Sequence, residues 1–173
     1  IGRQFFISKE KLERDWIKSF TFILGSDQFG RDVLSRVLFG TRISLAVGVC
    51  ASTLSLLVGV FLGGLAGYFG RWTETIIMRV TDMMFGFPVL LFLIAITSIF
   101  EPSLLVVFIA IGLVSWPGIV RLVRGQVLSV KHQEYVLAAQ TIGLNSGKIL
   151  WRHILPNCIS PIVVTYTLGI GSA

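Results

Sequence analysis

The sequence predicts an all-α integral membrane protein, a polytopic bundle of spanning helices. Composition argues first: 54% of the 173 residues are hydrophobic and only 14% are charged, against about 25% charged in an ordinary soluble domain. Charge placement argues next. No charged residue falls between Arg42 and Arg71, between Asp82 and Glu101, or between Glu101 and Arg121. Uncharged apolar runs of about 18 residues or more can cross a bilayer core as helices. Mean hydropathy, +0.82, agrees. A soluble protein with several buried helices is the alternative, but core helices normally keep a polar face, which these runs lack.

Residues 1–42 form a mixed, charged N-terminal segment, expected to be amphipathic and extracytoplasmic. Its "SKEKLERDWIKSF" reads as a short amphipathic helix, and Gly25, Asp27 and Gly30 mark a turn leading into another. Residues 43–173 form the membrane domain. Its first span, 43–69, is longer than the ~30 Å hydrocarbon core at ~1.5 Å per residue, so tilt is expected. Along it Ala51, Ser55, Gly59, Gly63 and Gly67 recur at every fourth position. That spacing puts them on one helix face, a smooth groove for another helix to approach. A short polar connection, 70–82, leads to a second span, 83–100, with Pro88 expected to kink it. Glu101-Pro102 makes a tight turn into a third span, 103–120, bent near Pro117. A polar insert at 121–157 follows, and a fourth apolar segment runs over 159–173.

Orientation follows from Lys and Arg, which favour cytoplasmic loops. The turn at Glu101 has none, the 70–82 connection has Arg71 and Arg79, and the insert has Arg121, Arg124, Lys131, Lys148 and Arg152. The latter two loops share one side if each run spans once, so that side is cytoplasmic. The N-terminal segment, with the remaining eight basic residues of the fifteen, runs against the rule; a missing upstream helix would hold it outside. The chain is expected to be a fragment: it starts at Ile1, and its last run stops at Ala173 without a polar flank. The net charge of +6 does not point to nucleic acid, because the basic residues flank apolar runs rather than forming one aromatic-interleaved face. Cys50 and Cys158 lie in apolar stretches and read as small buried residues.

The insert holds "EYVLAAQTIGLNSGKILWRHILPN", residues 134–157. A helix from Glu134 would align Tyr135, Ala138 (or Ala139) and Ile142 in one apolar stripe, with alanine allowing close approach. Gly143 suits the left-handed residue that ends a helix, Asn145 or Ser146 can cap the next one, and Pro156 marks the start of the following span. Two readings stand on this alone: an amphipathic helix resting on lipid, or one docking into a groove on a soluble partner.

The stretch resembles the cytoplasmic loop of bacterial ABC-transporter permeases, with its Glu-Ala-Ala, Gly and Ile-x-Leu-Pro signature. Ala138, Ala139, Gly143, Leu155 and Pro156 match at the family's spacing, while Leu137 stands in place of the Glu and His153 in place of the Ile. These departures, with Glu134 as an acid three residues earlier, resemble the dipeptide, oligopeptide and nickel importer branch. "GSDQFGRDVLSRVLFGTRISLAVG" and "MRVTDMMFGFP" resemble the second, C-type permease of that branch. The resemblance implies the type I ABC importer permease fold and a peptide permease, with nickel complexes or glutathione-like conjugates as alternative substrates. It implies a second permease subunit, two cytoplasmic ATP-binding subunits and an extracytoplasmic substrate-binding protein as partners. In it, the loop at Glu134, Tyr135, Ala138, Ala139, Ile142, Gly143, Leu155 and Pro156 transmits ATPase closure to the spans.

The chain itself is expected to be no enzyme and to need no cofactor. It has no glycine-rich phosphate loop, so ATP hydrolysis is assigned to other subunits. His132 and His153 lack a third ligand for a metal, and an intramembrane enzyme would need facing ionisable groups at depth, which the spans lack. A secondary transporter would likewise need coupling acids within the spans. Asp82 reads as an interfacial charge paired with Arg79 one helical turn away. No catalytic residue is expected, and the residues contacting substrate are not legible.

Overall fold

The computed structural model describes residues 3–6, 18–101 and 103–172. The chain divides into two compact units, Ile1–Leu45 and Ala46–Ala173.

In the first unit two short strands, β1 (Arg3–Phe6) and β2 (Lys18–Thr21), pair antiparallel with Arg3 opposite Thr21 and Phe6 opposite Lys18. The amphipathic helix expected over "SKEKLERDWIKSF" is therefore corrected at Lys18–Phe20, which are strand. There the backbone groups pair with β1, residue against residue. Residues 8–17 of that expectation lie outside the described residues. The Gly25–Gly30 turn forms as expected, with Gly25 and Gly30 at φ of 80° and 76°. The Asp27 carboxylate accepts the amides of Phe29 and Arg31 at 2.9 Å each and pairs with Arg36. The Arg31 amide, chief among these donors, holds the Asp27 pKa below the usual carboxylate value. Asp32 then caps the next helix, accepting the Leu34 amide at 3.2 Å and the Ser35 hydroxyl at 2.5 Å.

That helix, α1 (Val33–Phe69), starts ahead of the expected 43 because Asp32 supplies its cap. α2 (Arg71–Gly86) follows, so most of the expected 70–82 connection is helix. Gly70, at φ 63°, makes the reversal in a single residue, and the polar side chains of α2 serve as partners for the next helix. The kink expected at Pro88 is a full break: α2 and α3 (Val89–Ile99) meet at 86°. Proline lacks the amide that would continue α2, and it drives Phe87 into an extended conformation.

α4 (Leu104–Val130), capped by the Ser103 hydroxyl on the Val106 amide at 3.2 Å, runs through Pro117 and past the expected end at 120. The opening residues of the expected 121–157 loop thus belong to a spanning helix. Arg121 and Arg124 do not end it, because α2 neutralises them. Arg124 takes Glu74 through its Nε at 2.7 Å, and Arg121 takes Asp82 at 2.6 Å while lying 4.1 Å from the Phe85 ring centroid. Asp82 is therefore paired across helices, not with Arg79. Beyond α4 come α5 (Glu134–Thr141) and α6 (Ser146–Ile149), then a π turn (Leu150–Ile154), a 3-10 turn (Leu155–Cys158) and α7 (Ile159–Ser172). The helical run Ser146–Ser172 begins well before the expected 159 and, with α1 and α4, is long and apolar enough to cross a membrane. The bent pair α2–α3 makes a fourth candidate crossing.

The small-residue face of α1 is buried against α4 of the same chain. Ala51 and Ser55 are 1% exposed. A Cβ at Gly59 would fall 2.5 Å from the Ile119 side chain, at Gly63 2.8 Å from the Val120 carbonyl oxygen, and at Gly67 2.8 Å from Val127. The backbones touch, as helices packed in lipid by close approach do. Beside this seam Ile119, Val123 and Val127 join Val136, Ala139, Ile149, Leu150, Ile154, Leu155, Cys158 and Ile162 in one core cluster.

Gly63→Leu is expected to destabilise the purified protein by about 1–3 kcal/mol through overpacking, seen as a lower Tm. Gly125→Ala, where a Cβ meets nothing within 4 Å, should leave Tm unchanged or slightly raised. The two ion pairs should also differ. The side chains of Glu74 and Arg124 are 26% and 32% exposed, whereas those of Asp82 and Arg121 are 54% and 49%. Glu74→Ala should cost about 1–3 kcal/mol, as for a group left unpaired while buried, and Asp82→Ala about 0–1 kcal/mol. Equal Tm losses for the two variants would contradict this ordering.

Candidate functional site

The connection between α4 and α6 is built from its two ends inward. α4 closes at Lys131, whose Nζ donates to the Gly67 carbonyl at 3.1 Å and so caps the end of α1. A cation suits those unsatisfied carbonyls. Gln133 opens α5 in an extended conformation, and Glu134 lies in the first turn, where a carboxylate suits the helix dipole.

α5 ends in a complete Schellman motif. The Leu144 amide donates to the Ala139 carbonyl at 3.2 Å, and the Gly143 amide donates to the Gln140 carbonyl at 3.0 Å. Gly143 holds φ at 77°, a conformation costly for a branched residue. Asn145 caps α6 through Oδ1, which accepts the Gly147 amide at 2.8 Å. The chain thus turns back towards the core within four residues of leaving α5.

The predicted residues separate into two faces. Tyr135, Ala138 and Ile142 stand on the exposed face, Tyr135 at 44% and Ile142 at 77% exposure. Glu134 is exposed as well. Ala139 turns the other way: it is buried with Val136 in the core cluster. Of the two alanines the stripe could use, Ala138 is the one that faces outward. Leu155 is also internal, and its side chain lies within van der Waals reach of Gly64. Pro156 is exposed at the start of the 3-10 turn. It has no amide to donate, while Asn157 Nδ2 donates to the His153 carbonyl at 2.6 Å.

Val136 and Lys131 were not anticipated. Val136 could have been found from its three-residue offset to Ala139, which puts the two side by side on one face of α5. Lys131 acts on a carbonyl 64 positions away, and local spacing carries no trace of that. Leu137, in place of the signature acid, edges a shallow depression with Tyr68, Phe69, Lys131, His132 and Gln140. Among the described residues no group of three or more His, Cys, Asp or Glu side chains is placed to hold a metal ion.

α5 thus carries an exposed apolar stripe on one side, while Val136 and Ala139 on the other belong to the core cluster. The family model for the binding-protein-dependent transport system inner membrane component matches residues 59–173. The chain is 46% identical over 149 residues to the dipeptide transport system permease protein DppC of Alkalihalophilus pseudofirmus, covering 86% of this chain and 49% of that protein. It is 44% identical to the glutathione transport system permease protein GsiD of Pectobacterium atrosepticum, again over 86% and 49%. With the oligopeptide transport system permease protein OppC of Bacillus subtilis it shares 42% identity at the same coverage. The chain therefore spans about half the length of the curated relatives it matches. Its helices and this match agree: the chain belongs to the family of binding-protein-dependent transport system inner membrane components, as a multi-pass helical protein of the inner membrane with the type I ABC importer permease fold.

Proposed function

We propose that this chain is the permease part of an ATP-driven importer of di- or oligopeptides. In this reading it forms the translocation path with a second permease, and α5 docks on a cytoplasmic ATP-binding subunit. An extracytoplasmic binding protein delivers the substrate, and ATP is hydrolysed on the separate subunits. The observation that carries the reading is the two-faced α5. Its outer stripe of Tyr135, Ala138 and Ile142 is free, while Val136 and Ala139 beneath are fixed to Val123 and Val127 of α4 and Ile154 and Ile162 of the last span within one cluster. A push on the stripe is delivered to two spans at once. The GsiD relative supports glutathione as a second substrate class; competition between dipeptides and glutathione in uptake by the reconstituted transporter separates the two.

Three substitutions test the coupling role in vesicles holding the whole transporter. Ala138→Arg should abolish ATPase stimulation and uptake while the chain still inserts and assembles, because it alters the outer surface alone. Ala139→Arg should lower the yield of folded protein, because that side chain has no route to water. Gly143→Val strains a positive φ by about 1–3 kcal/mol and should reduce uptake more than ATP hydrolysis. Wild-type uptake and stimulation in Ala138→Arg would remove α5 as the coupling element.

A further inference from the structure

A cavity of about 400 Å³ lies among α1, α3, α4 and α7, well within the spans. Hydroxyl-bearing residues from three helices line it: Ser52 and Ser55 of α1, Ser115 of α4, and Thr165, Tyr166 and Ser172 of α7. Among the described residues no charged side chain lines it. Polar groups at membrane depth are retained where they face a water-filled or substrate-bearing space.

The protons of these hydroxyls are almost all committed. Ser55 donates to the Gly112 carbonyl at 2.8 Å, Ser115 to Ile111 and Thr165 to Pro161 at 2.9 Å each, and Ser172 to Gly169 at 3.1 Å. Thr53 gives its one proton to the Val49 carbonyl at 2.6 Å. The 3.0 Å contact between Thr53 and Tyr166 must therefore have Tyr166 as the donor. What remains towards the cavity is oxygen lone pairs. Ser52 is the exception: it is 8% exposed and makes no hydrogen bond to the described residues.

From this we infer that the cavity is a neutral, acceptor-rich station for the transported molecule. It would take N–H donors, the amides and terminal ammonium of a peptide, in preference to carboxylates. The inference rests on the peptide-importer reading and adds where, and by which groups, the peptide is held inside this chain. Ser52 supplies the one spare donor, enough for a single carbonyl. A site without fixed charge would hold the peptide weakly, as passage requires.

The test uses the whole transporter in vesicles, with Cys50→Ser and Cys158→Ala as background. Ser115→Cys and, separately, Thr165→Cys are exposed to a charged, membrane-impermeant maleimide, with Leu57→Cys, at a 64% exposed position midway along α1, as the lipid-facing control. The cavity cysteines should react and the control should not. Dialanine and its C-terminal amide should each slow the reaction several-fold, whereas succinate, similar in size but without N–H donors, should not. A cavity filled by lipid or by another chain gives no labelling in either variant. A water-filled path without a binding station gives labelling that dialanine does not slow. Equal protection by succinate would mean that shape, not donors, is read. Each of these results overturns the inference. Uptake of labelled dialanine by the unmodified transporter is measured alongside: its absence sinks the importer reading, whereas uptake without protection sinks only the station.

Discussion

Contact between the backbones of α1 and α4 is the constraint on which the rest of the second unit depends. In lipid, burying leucine against leucine gains little, because the solvent is itself apolar. Helices are held instead by dense atomic contact and by polar groups that have nowhere else to go. Gly59, Gly63 and Gly67 remove the side chains that would keep the axes apart, and Ile119, Val123 and Val127 fill the space released. The Ser55 hydroxyl bonds the Gly112 carbonyl across the same seam. With the seam closed, Lys131 reaches the end of α1, and α5 finds its seat on the cluster below.

The outer surface follows the same logic inverted. Leu57, Phe61, Leu90, Leu91, Ile94 and Leu168 are all at least half exposed, as expected of side chains that meet acyl chains. Charge is kept where two helices can share it. Glu74 and Asp82 on α2 face Arg124 and Arg121 on α4, so the end of α4 nearest α5 is tied sideways to α2. α5 thus follows directly on a helix end tied to α2 by ion pairs and to α1 by Lys131.

Much of this was legible in the sequence, and the unread parts have definite causes. The small-residue period gave the packing face because glycine at every fourth position has little other use in a long apolar helix. The loop's turns were legible too, since Gly143 and Asn145 act through their own backbone neighbourhood. Helix ends were misplaced for a different reason. Charged residues were read as boundaries, yet Arg121, Arg124, Glu74 and Asp82 lie inside helices because each finds its partner on another element. Pro117 was read as a bend and Pro88 as a kink. The first sits within a packed α4, whereas the second has extended neighbours and ends α2. Which alanine faced outward could not be settled by period alone, because Ala138 and Ala139 fit a stripe of i, i+3 and i+4 neighbours equally well; the burial of Ala139 in one cluster with distant Val127 and Ile154 is what decides it.

The π turn at Leu150–Ile154 sets how the chain can vary in length. It lets Leu150, Ile154 and Leu155 all point into the core before Pro156 forces the tighter 3-10 turn. Everything beyond inherits its rotation from that stretch. Losing or gaining one residue between Ile149 and Ile159 would turn α7 by about 100°, carrying Tyr166 away from Thr53 and the cavity. Indels in this protein should therefore collect in surface turns, whereas the span following the loop is fixed in length as strictly as in composition.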